Sequence, residues 1–259
     1  MTQSLSPTTL ALVANYLHLP FPGRNISCPY FNNRRAKVRG ALRVLIGKGS
    51  VRDITEEAMV LSLKEKIALD TLTDEQLKQF LVDHHIGIDC SALVYYALEE
   101  ETRARGKGTL SSHVYFPATN IFRKFLTRWR PVENTSVSVL SHDKNSTIIP
   151  LSSVQPGDMI ILLNTGRDHT MNHVLLIHEV EYREDGQPQV IHYTHSLQWR
   201  ADGKYNHGVR QGTITITDAN QPLLQAMWEE HGRKGNENET FEHALLAETL
   251  TLRRLNVLV

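Results

Sequence analysis

Cysteine and histidine are the side chains of this sequence whose placement suggests covalent chemistry. Cys90 lies in Gly87–Leu98, GIDCSALVYYAL, where aspartate then cysteine open a run with helical apolar spacing. A cysteine in the first turn of a helix faces unpaired backbone N–H groups and the positive end of the helix dipole, both of which favour the thiolate. The same N–H groups can receive an oxyanion. Cysteine is also among the most buried residue types, so position alone leaves a structural role open. A nucleophilic thiol needs a base, and the base needs a partner that fixes its ring. His173 opens HVLLIHEV after the polar loop NTGRDHTMN, and His192 lies in VIHYTHS on the next β-rich run. Adjacent antiparallel strands can set two such side chains side by side, so His192 is expected to hold the ring of His173.

The elements that must position these groups follow from periodicity. Ser6 and Pro7 read as an N-cap and first helical residue for a helix to Leu17. Ala36–Ile46 and Ile54–Leu69 read as helices around Gly47-Lys48-Gly49-Ser50, and Thr73 with Gln76 forms a capping box for a helix to about His84, which Gly87 is placed to stop. The cysteine helix is expected from Asp89 to about Arg105, and a short helix from Asn120 to Trp129. Period-two runs then take over at Met159–Leu163, Val174–Tyr182, Gln189–His195 and Val209–Thr217. A helix is expected at Pro222–His231, a charged loop at GRKGNENET and a closing strand at Thr249–Leu255. Helices followed by a strand meander indicate an α+β architecture.

Composition narrows the function. The 259 residues carry 28 lysines and arginines against 28 aspartates and glutamates, so no overall field favours nucleic acid or an anionic membrane. The N-terminus lacks the features of a secretory signal, and no segment offers the roughly 18 apolar residues that span a bilayer, so a cytoplasmic protein is expected. With Cys28 and Cys90 alone, a disulfide framework is not expected. GALRVLIGKG does not match phosphate-loop spacing, and no dinucleotide fingerprint follows a strand. His169 with His173, and His192 with His195, offer metal-ligand nitrogens beside His178 or Asp168. The first pair lacks the glutamate of HExxH, and a regular strand turns the second pair to opposite faces. No metal and no cofactor are expected.

The ordered motifs resemble a known family. DCSALVYYAL looks like the nucleophile motif of the NlpC-type cysteine peptidases, VQPGDMIIL like their turn into the first strand, NHVLLIHEV like their catalytic-histidine strand, and VIHYTHS like their third polar residue. The resemblance covers about half of the chain, from Asp89 to about Thr217. It implies a papain-like α+β domain with the cysteine helix packed on an antiparallel sheet, here residues 73–259, preceded by a helical extension, residues 1–72, packed on the core. It also implies Cys90 as nucleophile, His173 as general base and His192 as the orienting third residue, with Asp158 only a turn-former. The implied activity is hydrolysis of amide bonds in peptidoglycan-derived peptides by an acyl-enzyme route, with a peptide or muropeptide as partner. Tyr30, Ser91 and Asp168 are the expected substrate contacts, Tyr30 because Pro29-Tyr30 resembles a family element that precedes the cysteine. Ala92 departs from the usual glycine, and sixty residues separate Tyr30 from Cys90 where the family has few. An esterase or acyltransferase with the same cysteine and histidine, or a non-catalytic binding module, are the alternatives. A catalytic Cys90 is expected to alkylate faster than Cys28, and below neutral pH.

Overall fold

The computed structural model describes residues 1–32, 43–117, 127 and 129–259. The expected helix at Ala36–Ile46 therefore lies mostly outside the described residues, as does the one at Asn120–Trp129. Ser6 caps α1 (Pro7–Leu17), its hydroxyl accepting from the Thr9 N–H. A capping box between Ser50 and Asp53 starts α2 (Val51–Glu65), earlier than apolar spacing alone predicts. The Thr73–Gln76 box starts α3 (Asp74–Asp83) as expected. Asp89 caps α4 (Cys90–Ala104) by accepting from the Ala92 N–H. Gly87 has a different role from the one its position suggests. The left-handed residue after α3 is His85, and Gly87 is glycine because a Cβ there would lie 2.5 Å from the Pro29 carbonyl oxygen.

The strands are β1 (Thr2–Ser4), β2 (Ser146–Ile148), β3 (Met159–Thr165), β4 (Met171–Tyr182), β5 (Pro188–Leu197), β6 (Gly208–Thr215), β7 (Met227–Glu230), β8 (Arg233–Lys234) and β9 (Thr249–Leu255). They form one sheet in the order β2-β9-β3-β4-β5-β6-β7-β8, and β1 pairs with β4 beyond the end of β3. The described pairings within the sheet are antiparallel. The fold is thus α+β, with an antiparallel sheet and helices.

Strand alternation divides the core into two layers. Met159, Ile161, Val174 and Leu176 pack with Leu93, Val94 and Ala97 of α4 and with Val13 and Tyr16 of α1. Ile160, Leu162, Leu175, Ile177, Ile191, Tyr193, Ile214 and Trp228 form the layer on the other side of the sheet, with Ala244 of α5 (Glu239–Leu245). The first residues belong to this architecture directly, since β1 is hydrogen-bonded to β4 and Leu5 is in the α4 layer.

The C-terminal third departs from the expected pattern. Pro222–His231 is not a helix: a single turn at Leu223–Gln225 leads into β7, where Trp228 and Glu230 point inward and Met227 and Glu229 outward. In the segment expected to be loop, Asn238 caps α5 through the Thr240 and Phe241 N–H groups. Among the described residues no helix is long and apolar enough to cross a membrane.

Candidate active site

Three backbone segments meet at the start of α4. The Ile88 N–H donates to the Pro29 carbonyl, the Phe31 N–H to the Ile88 carbonyl and the Asp89 N–H to the Gly47 carbonyl. Gly47 has φ of 74°, and a Cβ there would approach Phe31 O to 2.2 Å, so this crossing excludes any side chain. On the sheet side the Ser196 hydroxyl donates to the Ile88 carbonyl (2.8 Å), which ties β5 to the residue two before Cys90. These crossings bring Tyr30 into a bridge with Ile88 although sixty residues separate it from Cys90. Tyr30, Lys48, Cys90, Ser91, Thr135 and Asn172 share a cleft of about 630 Å³.

Lys48 was not singled out by its sequence context, and it is the hub of this corner. Its ammonium donates to Asp89 Oδ1 (3.0 Å), the Ser91 hydroxyl (2.7 Å) and the Thr135 carbonyl (2.8 Å), and it is buried. The Ser91 hydroxyl in turn donates to Asp89. Ser91 therefore stands in the cleft wall as part of a buried ion-pair network. Lys48→Met leaves the Asp89 carboxylate buried without its cation, and we expect a loss of about 3–5 kcal/mol in urea unfolding, the usual cost of breaking a buried pair from one side.

The histidines sort by strand parity. The register Leu176↔Thr194 between β4 and β5 places His173 and His195 on the side of the sheet that carries Leu175 and Tyr193. His173 Nε2 lies 2.8 Å from His195 Nδ1, and His195 Nε2 lies 3.0 Å from Glu230 Oε2, all three side chains buried. The Tyr193 hydroxyl also donates to Glu230 Oε2 (2.8 Å), and Arg210 Nη1 is 3.7 Å from Glu230 Oε1.

His192 is not brought to His173. It faces the opposite side, where its Nε2 meets Glu181 Oε1 at 2.8 Å. The correction is one of parity: two residues separate His192 from His195, an odd offset of three positions, so only one of them shares the face of His173. Asp168 is not brought to the cysteine cleft either. Its carboxylate accepts from the Thr170 hydroxyl, and it lines a separate, smaller cleft with Arg200, Glu242 and His243. The turn role of Asp158 holds, since its carboxylate accepts from the Gln155 N–H and pairs with Arg254.

Against family models, curated proteins and solved structures, this chain matches none.

Electrostatics define the resting state of these groups. Burial pushes the Cys90 thiol up to about 12, and the Asp89 carboxylate adds to the rise. The Val174 and Ser91 N–H groups and Lys48 oppose it without prevailing. Burial also pushes His173 well below the ordinary imidazole value, and the neighbouring His195, His243 and Arg210 act in the same direction. Burial works against ionisation of Glu230, yet His195, Arg210 and Tyr193 hold it below the ordinary glutamate value. The pair at rest is a neutral thiol and a neutral imidazole.

The ionised Glu230 fixes the tautomers. A carboxylate only accepts, so His195 donates through Nε2–H. With Nε2 as its donor, His195 accepts at Nδ1, which makes His173 Nε2 the donor and leaves a lone pair on His173 Nδ1. Among the described residues no hydrogen bond occupies that Nδ1, and none joins it to the Cys90 sulfur. The Val174 N–H, of the residue that follows His173, is instead among the groups that lower the thiol pKa.

Proposed function

We propose that the protein is a cysteine hydrolase that cleaves amide bonds in peptides, with peptidoglycan-derived peptides as its substrate class. The observation that carries this reading is the chain Glu230, His195, His173, which prepares an imidazole lone pair one residue before Val174, whose N–H lowers the Cys90 thiol pKa. Cys90 attacks the amide carbonyl as its proton passes to His173 Nδ1, the histidine returns the proton to the leaving amine, and water releases the acyl-enzyme. The backbone N–H at the start of α4 is positioned to receive the oxyanion, and the polar cleft containing Tyr30 suits an extended, hydrogen-bonding substrate. His195 takes the orienting role that the family resemblance gave to His192.

Turnover of muropeptides, unmodified peptides and aryl esters by the wild-type protein and by Cys90→Ala tests the reading. We expect amide cleavage in the muropeptide arm, with loss of at least roughly 10³-fold in Cys90→Ala. Turnover confined to aryl esters would replace the amidase with an esterase. The high thiol pKa favours a second reading, a binding module without turnover, and absence of cleavage in every arm would establish it.

A further inference from the structure

The side chain displaced from the catalytic reading belongs to a second cluster. Glu179 and Glu181 lie two apart on β4 and therefore share a face, and His192 on β5 is the register partner of Glu179. His192 Nε2 is 2.8 Å from Glu181 Oε1 and 3.7 Å from Glu179 Oε1, and one donor atom from each of the three residues lies within 4.8 Å of the other two. All three are half-buried on paired strands, so their backbones are fixed before any ligand arrives. Among the described residues, no lysine or arginine forms an ion pair with either carboxylate. Two like charges on one strand face repel, and the cluster is left short of positive charge. The neighbouring His178 is committed elsewhere, with its Nδ1 at 3.0 Å from the Thr194 hydroxyl.

We propose that Glu179, Glu181 and His192 bind a divalent transition-metal ion, with zinc the ion of best fit. Zinc takes imidazole nitrogen and carboxylate oxygen at about 2.0–2.2 Å, which sets neighbouring donors of a tetrahedron about 3.4 Å apart. The separations of 2.8 and 3.7 Å straddle that value, so small rotations of two glutamate side chains complete three sites of a tetrahedron. Solvent supplies the fourth. The donors differ from the histidine pairs that sequence spacing offers, because the strand register and not the chain order brings them together. The site stands apart from the Glu230 relay, on the opposite face of β5, and hydrolysis does not depend on it. Its structural consequence lies at the chain start, since Ser4 and Thr2 of β1 are the register partners of Glu179 and Glu181. A bound ion clamps β4 to β5 beside the strand that anchors the N-terminus.

Calorimetric titration of zinc chloride into tag-free, chelator-treated protein tests this, in a Cys90→Ala background that removes the cleft thiol as a competing ligand. One ion per chain is expected, with affinity reduced at least tenfold by His192→Ala and by the conservative Glu181→Gln. Zinc should raise the thermal midpoint of the Cys90→Ala protein but not of the Cys90→Ala, His192→Ala double variant, because an ion bound only by the native state stabilises it. No binding, or binding unchanged in both His192→Ala and Glu181→Gln, would overturn the proposal.

Discussion

Replacing His195 with alanine is expected to lower kcat/KM by roughly 10³-fold or more, whereas His192→Ala stays within about twofold of the wild type. The asymmetry follows from the sheet. His195 links His173 to Glu230, and without it nothing tells His173 which nitrogen carries the proton. Nδ1 is then free to become the donor, a form that cannot accept from the thiol, and the ring also loses its orientation. His192 makes its contacts with Glu181 and Glu179 on the other face, where neither tautomer nor ring angle of His173 is affected. His195→Asn supplies the control for folding: its amide oxygen can still accept from His173 Nε2–H, so partial recovery over His195→Ala is expected. Equal activity of His195→Ala and the wild type would remove the relay from the mechanism.

Whether these roles could be read in advance depended on whether the signal was local. Asp89 as N-cap, the Thr73–Gln76 box and the strand runs at 159–163 and 174–182 are written in adjacent residues, and they fold as their spacing dictates. The α+β class followed from them. Parity was legible too, since a regular strand must turn His192 and His195 to opposite faces, but parity does not say which face His173 shares. That is set by the register between β4 and β5, which has an irregularity between Ile177 and Glu179. Glu230 was hidden for a different reason. A strand of four residues, two of them glutamates, gives too short an alternation to outweigh helical composition, and the segment reads as a helix until Trp228 and Glu230 are seen facing inward.

Lys48 shows the limit most plainly. A lysine between two glycines reads as a solvated turn, and its burial comes from Asp89, Ser91 and Thr135, each at least forty residues away in sequence. The same long-range folding makes Tyr30 a neighbour of Cys90: the segment at Pro29 and the one at Gly47 both run across the start of α4. These crossing segments bring both residues to one cleft. Their sequence carries no mark of the crossing except Gly47, whose backbone is pressed against Phe31.

Alkylation of Cys90 by iodoacetamide is expected to be slow near pH 6 and to quicken about tenfold for each unit of pH up to about pH 9, the behaviour of a thiol well below its pKa. This reverses what a cysteine at a helix start suggests. The Ser91 and Val174 N–H groups and Lys48 do lower the thiol pKa, but burial of the sulfur and the adjacent Asp89 charge outweigh them, and the value stands at about 12. His173 offers no stored imidazolium to tip the balance, because burial above all holds it well below the ordinary imidazole value, and Arg210 acts in the same direction. In the proposed hydrolysis the proton then moves during attack on the substrate, driven by the forming sulfur–carbon bond, and not before it. Cys28 is pushed to about 12 as well and is wholly enclosed, so in the native protein it should remain unlabelled while Cys90, which lines the cleft, reacts. In denaturant the two should label alike, near the ordinary thiol pKa of about 8.5. Mass-spectrometric mapping of both cysteines across the pH series reads all of this at once. Fast labelling of Cys90 that does not change between about pH 5 and pH 8 would instead mark a preformed thiolate–imidazolium pair. In that case His173 carries the proton at rest, and the relay from Glu230 serves to stabilise its charge.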